Sequence, residues 1–516
     1  MNLASGSYPY SPKRLRRLAV AAAAIPIALL ACTTDEPPRF NAIADQIVLL
    51  GESMAVPFTI TDENLGALVV AANSSDQAVL ADSDLVLEGT GGNRTLMATP
   101  SALGTAVVAI TATDAGGQHA TAAFSVTVEQ PYAAQSRLLA NAATGGDSFG
   151  YAVALEGGRA VIGAPINDDV AGPPGAVYVF ELSGTSWRQV VELTGKDTLG
   201  GDMFGAAVAL SGDRLLVGAP FDDHPGLNDA GSVYVFEFDG AAWVETVKLV
   251  AGDAAAGAWF GQSVALSGDR LLVGASGDAH AGERSGAAYV FELGSPSRAH
   301  TAKLVTSDAA ASDEFGWSVA LDGDRAVVTA LRGGSEGDGG GSAHVFEHVG
   351  SGWVHTSELK ADPDGPNEDF GVDVALDSST IVVGATANQF TGSPTDGSAT
   401  VFELSGPDWL RVERLTPHHI GPGARFGSSV AVGGGRVLVG ATFDTDEAGF
   451  RTGSAFVFER IASTYRQIAR LAATDAAGGD RFGTSVAIDG EWILVGADLA
   501  DNDGGVDAGS VYVFQR

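Results

Sequence analysis

VALSGDRLLVGA occupies residues 208–219, and the same twelve letters return at 264–275. Around them a longer period emerges. Phe-Gly recurs at Phe149, Phe204, Phe260, Phe315, Phe370, Phe426 and Phe482, always 55 or 56 residues apart. Self-similarity at a fixed spacing of this length signals one supersecondary unit repeated around a common core. Each unit carries four strand signals. FGAAVAL (204–210) alternates large and small residues. RLLVGA (214–219) is apolar almost throughout, as a strand covered on both faces must be. SVYVFEF (232–238) alternates again, and WVETVKLV (243–250) opens on an aromatic residue. Four strands per unit and seven units predict an all-β chain with a seven-bladed β-propeller. The last unit stops at GSVYVFQR without a fourth strand, whereas SRLLA (136–140), ahead of the first Phe-Gly, matches VKLVA of the other units. That N-terminal element is expected to complete the last blade and close the ring. A solenoid would need capping repeats instead.

The rest of the chain divides into three shorter parts. Lys13, Arg14, Arg16 and Arg17 precede an apolar run from Leu18 to Leu30. Thirteen residues are too few to span a bilayer, so 1–31 reads as a secretory signal. It ends in Leu29-Leu30-Ala31-Cys32, which resembles the lipobox of bacterial lipoproteins. Cys32 is the sole cysteine of the chain, and the resemblance implies that it is lipidated. Thr33 after the cysteine, by the same resemblance, implies the outer membrane. Residues 32–39 then form a polar, proline-containing tether. Residues 40–129 hold several short Val-, Ile- and Thr-rich runs with alternating apolar positions, including MAVPFTIT (54–61) and TAVVAITAT (105–113). They predict a β-sandwich that resembles bacterial immunoglobulin- or cadherin-like domains. Asp62, Asp76 and Asp114 fit turn chemistry or a junctional calcium equally well. The propeller takes 131–516.

FGAAVALSGDRLLVGAP followed by GSVYVFE resembles FG-GAP repeats, known from integrin α-subunits and many bacterial surface proteins. The resemblance covers all seven units and implies the propeller fold; it says little of function, because one fold serves many. The calcium loop DxDxDGxxD that integrin-type repeats carry between their first two strands is replaced here by SGD, DGD, GGG or a similarly short connection in every unit. About three residues cannot supply the six to eight oxygens calcium takes, so that site is not carried over.

Acidic residues gather instead in the loop after the second strand. These are Asp168 and Asp169, Asp222 and Asp223 beside His224, Asp278, and Asp444 and Asp446. Asp501, Asp503 and Asp507 with Gly504 match the latter part of a calcium loop, with Leu499 where its first Asp belongs; calcium is the one cofactor these residues suggest. In an up-and-down blade this loop and the blade-to-blade loop emerge on one face. The blade-to-blade loops are acidic too, as in GGDS (145–148) and GGDR (478–481). That face is the expected ligand surface.

The chain has 29 Lys and Arg against 63 Asp and Glu, a formal charge of −34. Such a balance argues against nucleic acid as a partner. No catalytic motif has its proper context. GGSEG (333–337) lies in a glycine-rich loop rather than a strand-to-helix turn, and His418-His419 have no companion ligands. The reading is a non-enzymatic, monomeric, lipid-anchored envelope protein at the outer membrane, facing outward and binding a protein or glycan through its acidic loop face. A periplasm-facing scaffold for envelope assembly or polysaccharide retention is the alternative.

Overall fold

The computed structural model describes residues 36–50, 53–129, 132–141, 144–165, 174–294, 299–333, 340–361, 368–387, 396–417, 420–446, 448–461 and 463–516. Seven four-stranded antiparallel sheets follow one another from residue 152 onward. We number them blades 1 to 7 by their Phe-Gly. Blade 2 is representative, with strands Ala207–Ser211, Arg214–Ala219, Ser232–Phe238 and Trp243–Leu249 in spatial order. Blade 7 has Val486–Asp489, Trp492–Ala497 and Ser510–Gln515 from the C-terminal end, and Ala133–Leu138 as its fourth strand. Val511 stands opposite Leu138 and Val513 opposite Ser136, so the two ends of the propeller sequence are zipped by strand pairing alone.

The second strand of each blade is buried along nearly its whole length, because a neighbouring sheet covers each of its faces. The seven phenylalanines of Phe-Gly are no more than 1 % exposed. Each lies edge-on to the third-strand aromatics of its own blade: Phe260, for example, has Tyr289 at 5.6 Å and Phe291 at 5.9 Å. Aromatic pairs favour this geometry, with the ring edge against the π face.

The repeated glycines are explained at the seams. A Cβ on Gly218 would stand 2.0 Å from the carbonyl oxygen of Gly261 in the next blade, and one on Gly231 would stand 2.2 Å from that of Phe260. The Phe-Gly backbone of one blade is thus gripped by two glycines of the blade before it. The grip closes the ring as well, with Gly496 against Gly150 and Gly509 against Phe149. Blade 4 alone has Thr329 at the second-strand position, and its hydroxyl accepts the Ser318 N–H at 3.0 Å.

The hairpins between first and second strands lie on the opposite face from the blade-to-blade loops, the turn face. In blades 1 to 4 the arginine after the first hairpin reaches a third-strand glutamate of its own blade and the hairpin of the next. Arg159 contacts Glu181 and the Gly212 carbonyl, and Arg270 contacts Glu292, Asp324 and the Gly323 carbonyl. Arg325 repeats this with Glu347 and the Ser378 carbonyl. These clasps tie neighbouring blades at their edges. Being partly solvated, each contributes little individually.

The N-terminal unit has two four-stranded sheets. One orders Arg39–Phe40, Met54–Thr61, Asn93–Ala98 and Val86–Glu88; the other orders Gln46–Leu49, His119–Glu129, Gly104–Thr113 and Val69–Ser74. Met54–Thr61 alternates buried and exposed residues without a break, which is the period of a strand with one face in a core. Asp62, Asp76 and Asp114 each accept backbone N–H groups two to four residues downstream. Those bonds are turn chemistry.

Candidate functional site

The loop after the second strand and the blade-to-blade loop share one face and are bonded to each other. The Gly257 N–H donates to the Asn228 carbonyl and the Trp259 N–H to that of Asp229. The acids expected to line this face divide into two groups. Asp222, Asp278 and Asp444 are at most 4 % exposed, so they do not present carboxylates to a ligand. Each is turned inward onto a cation of the fourth strand. Lys248 bridges Asp222 at 2.7 Å and Asp197 at 2.9 Å, Lys303 bridges Asp278 at 2.9 Å and Asp253 at 2.7 Å, and Arg470 holds Asp444 at 2.8 Å. Burial pushes the Asp278 carboxyl upward, but Lys303, the His280 N–H and Tyr289 outweigh it and hold it below the usual range. These acids anchor the loops.

The blade-to-blade acids do the same work locally. Asp147, Asp202, Asp313 and Asp480 each accept the backbone N–H three residues before them, at 2.6–2.8 Å. Asp223 is exposed, and its carboxylate accepts the Asp229 N–H at 2.9 Å. His224 bonds to the Gly231 carbonyl and the Ser232 hydroxyl. Asp446 accepts from Ala448 and Phe450. In the last loop Asp501 accepts the Asp507 N–H at 3.0 Å, repeating the Asp223 turn, while Asn502 binds Gly509 as His224 binds Gly231. Asp501, Asp503 and Asp507 are not brought together as ligands. Among the described residues no three Asp, Glu, His or Cys side chains converge as a metal site. Cys32, Asp168, Asp169 and His418-His419 lie outside the described residues, as does most of GGSEG.

The first strands of all seven blades surround a central cavity of about 660 Å³, lined from Tyr151–Val153 in blade 1 round to Thr484–Val486 in blade 7. The residue two after Phe-Gly is Ala or Ser in six blades and Asp373 in the fifth. Ser263, Ser429 and Ser485 donate to the Gly316, Gly483 and Gly150 carbonyls of the following blades. Asp373 accepts from the Ser318 hydroxyl of blade 4 at 2.9 Å, the Val430 N–H of blade 6 at 2.8 Å and its neighbour Val374 at 2.9 Å. One carboxylate therefore joins three blades. Burial raises it to about 6 despite those donors.

The loop-face end of each first strand is marked by the residue just before its Phe-Gly, the rim residue of the blade: Ser148, Met203, Trp259, Glu314, Asp369, Arg425 and Arg481 in order. Met203 and Trp259 line the cavity directly, with Phe221, Tyr151 and Trp317 beside them. Six of the seven, Asp369 excepted, have positive φ, between 54° and 58°. The rim's chemistry changes by sector: blades 1 to 3 are uncharged, blades 4 and 5 acidic, blades 6 and 7 basic. Glu314 is 2 % exposed and held by Arg284 at 2.6 Å and Arg332 at 3.7 Å. In blade 6 the Arg425 guanidinium stacks 4.2 Å from the Phe443 centroid, with Arg451 5.4 Å from the same ring. Burial and the neighbouring charges of Arg481 and Arg451 push Arg425 down from its ordinary value. Arg481 reaches Asp498 only at 3.8 Å, and Asp498, 2 % exposed, is raised by burial to about 6.

Seven four-stranded sheets locked through equivalent seams around a central cavity define a seven-bladed β-propeller. FG-GAP repeats match residues 132–180, 187–236, 243–291, 299–346, 353–402, 409–458 and 465–514. The chain belongs to the FG-GAP repeat family. Among solved structures it is similar to the β-propeller domain of the Trilobed protease from Pyrococcus furiosus, at 10 % identity and a TM-score of 0.41, over 74 % of this chain and 94 % of that one. Shorter similarities link 19 % of the chain to an Ig domain of the titin M10–obscurin-like 1 complex (27 % identity, TM-score 0.16, 98 % of that chain). A further 18 % match is to domains 4 and 5 of the S-layer protein SbsC (17 % identity, TM-score 0.14, 53 % of that chain). No curated protein matches the chain.

Proposed function

We propose that this is a non-catalytic binding protein of the bacterial cell envelope, anchored by lipid on Cys32, with its propeller facing outward. In this reading residues 40–129 are an immunoglobulin- or cadherin-like sandwich that lifts the propeller off the membrane. The ligand is a protein or glycan at the cell surface. The observation that carries the binding role is the contrast within each blade. The seams repeat almost unchanged seven times, whereas the rim residue differs from blade to blade. A frame kept uniform beneath rim residues that vary, with Ser148 and Glu314 buried and Met203, Trp259, Asp369, Arg425 and Arg481 at least partly exposed, suits recognition of one asymmetric ligand. The anchor rests on Leu29-Leu30-Ala31-Cys32, since two or more acyl chains hold a protein stably at about 0.8 kcal/mol per buried CH₂. Replacing Cys32 by Ser is expected to move most of the protein from the membrane to the soluble fraction after cell lysis. Retention of Cys32→Ser in membranes would remove the lipid anchor from the account.

A further inference from the structure

Arg425, Arg451 and Arg481 gather on the loop face of blades 6 and 7, where Arg425 lies in the field of the other two. We propose that Arg425, Arg451 and Arg481 form the binding site for the sugar-acid carboxylates of an acidic glycan, whose neighbouring rings lie across the aromatic sector of the cavity mouth. The inference rests on the proposed binding role and gives its ligand a chemical class.

In blades 3 to 5 the rim's acids and bases meet, with Arg284 and Arg332 on Glu314 and with Asp369 in the field of both Arg332 and Arg425. In blades 6 and 7 Arg425 lies in the field of Arg481 and Arg451, opposed by Asp369, and Arg481 has Asp498 at 3.8 Å, so that three guanidinium groups meet these two carboxylates. Like charges held together in a partly dehydrated place are costly unless an anion joins them. The chain as a whole carries −34, so this sector runs against its own background.

Arg425 and Arg481 hold the repeat position that Met203 and Trp259 use to line the cavity. Tyr151, part of that lining, feels the charges of both Arg481 and Asp498. The Phe443 ring fixes Arg425 and Arg451 through cation–π contact. A planar guanidinium so held is ready for bidentate bonding to a carboxylate. Tyr151 and Phe221 are 41 % and 36 % exposed, and Trp259 and Trp317 share the same cavity. Apolar faces beside a few fixed polar groups make a ligand site. Sugar rings, with apolar faces and polar edges, fit them better than the flexible acidic side chains of a peptide do.

The test is calorimetric titration of the full-length protein with oligogalacturonate, neutral dextran oligomers of equal length, and poly-glutamate. Oligogalacturonate is expected to bind, at least tenfold more tightly than either of the others. Arg425→Gln/Arg481→Gln is expected to weaken it at least tenfold, because charge-assisted bonds are lost. Arg188→Gln on an exposed fourth strand of blade 1 serves as a charge control and leaves binding unchanged. Thermal unfolding of the double variant confirms the fold; Arg451→Gln provides a separate route should that variant unfold. Tighter binding of poly-glutamate would overturn the glycan assignment. Equal binding of dextran, or undiminished binding by the arginine variants, would overturn the site. Absence of binding to all three probes would overturn the inference while leaving anchoring and surface display to their own tests.

Discussion

Gly496→Ala is expected to destabilise the propeller by about 3 kcal/mol or more. The added methyl would lie 2.1 Å from the Gly150 carbonyl oxygen. That oxygen cannot easily retreat, because it accepts the Ser485 hydroxyl at 2.7 Å and its own residue's N–H donates to Gly163 at 3.1 Å. The contact is backbone against backbone across the seam where blade 7 meets blade 1, so no side-chain rotation relieves it. Gly212→Ala is the matched control. It lies in a hairpin with φ of +57° and nothing within 4 Å of the added Cβ, so it costs only the left-handed conformation, roughly 1 kcal/mol. Urea unfolding followed by circular dichroism separates the two. Equal losses would mean that the repeated glycine is a conformational preference and that the seams do not need close approach.

The second large effect is one of pH. Asp373 titrates at about 6 in the folded protein against an ordinary 3.8, because burial opposes its ionisation more than its three donors favour it. A raised value means that the folded state holds the proton more tightly than the unfolded chain does. The associated stability is therefore complete below pH 3.8 and is lost as pH rises through about 6. A shift of this size corresponds to about 3 kcal/mol. Asp498 adds a loss in the same window. Asp253 and Asp278 act oppositely. Burial raises both, their lysine and tyrosine partners lower them further, and their contribution is lost as pH falls below the ordinary range. Asp373→Ser, the residue blades 3, 4, 6 and 7 already use, is expected to flatten the decline in unfolding free energy between pH 4 and 7 by about half. The slope is the readout, since the Val430 N–H also loses an acceptor. An unchanged slope would show that Asp373 is not the group responsible.

How far the sequence could be read depended on whether a residue's task repeats. Phe-Gly, the apolar second strands and the glycine before Ala219 recur because seven blades solve one packing problem, so their period exposed the architecture. The acids were harder. Asp222 and Asp223 are adjacent and look alike, yet one is buried under Lys248 and the other is exposed. Lys248 is 26 residues further on in the chain, in a strand whose alternation gives no sign that it closes over the loop. The recurrent arginine after SGD or DGD was visible at Arg214, Arg270 and Arg325, and marks the turn-face clasps. The rim arginines gave no periodic signal. They become legible only when the residue before each Phe-Gly is read around the ring, since Arg425 and Arg451 are apart in sequence and meet only through the Phe443 ring.

Outward display at the cell surface is the central functional claim, and protease shaving of intact producing cells tests it most directly. The same treatment after the outer membrane is opened is the reference, with the propeller detected by antibody. The account predicts that the propeller is lost from intact cells. Cleavage only after opening would contradict it, placing the protein on the periplasmic side as an envelope scaffold.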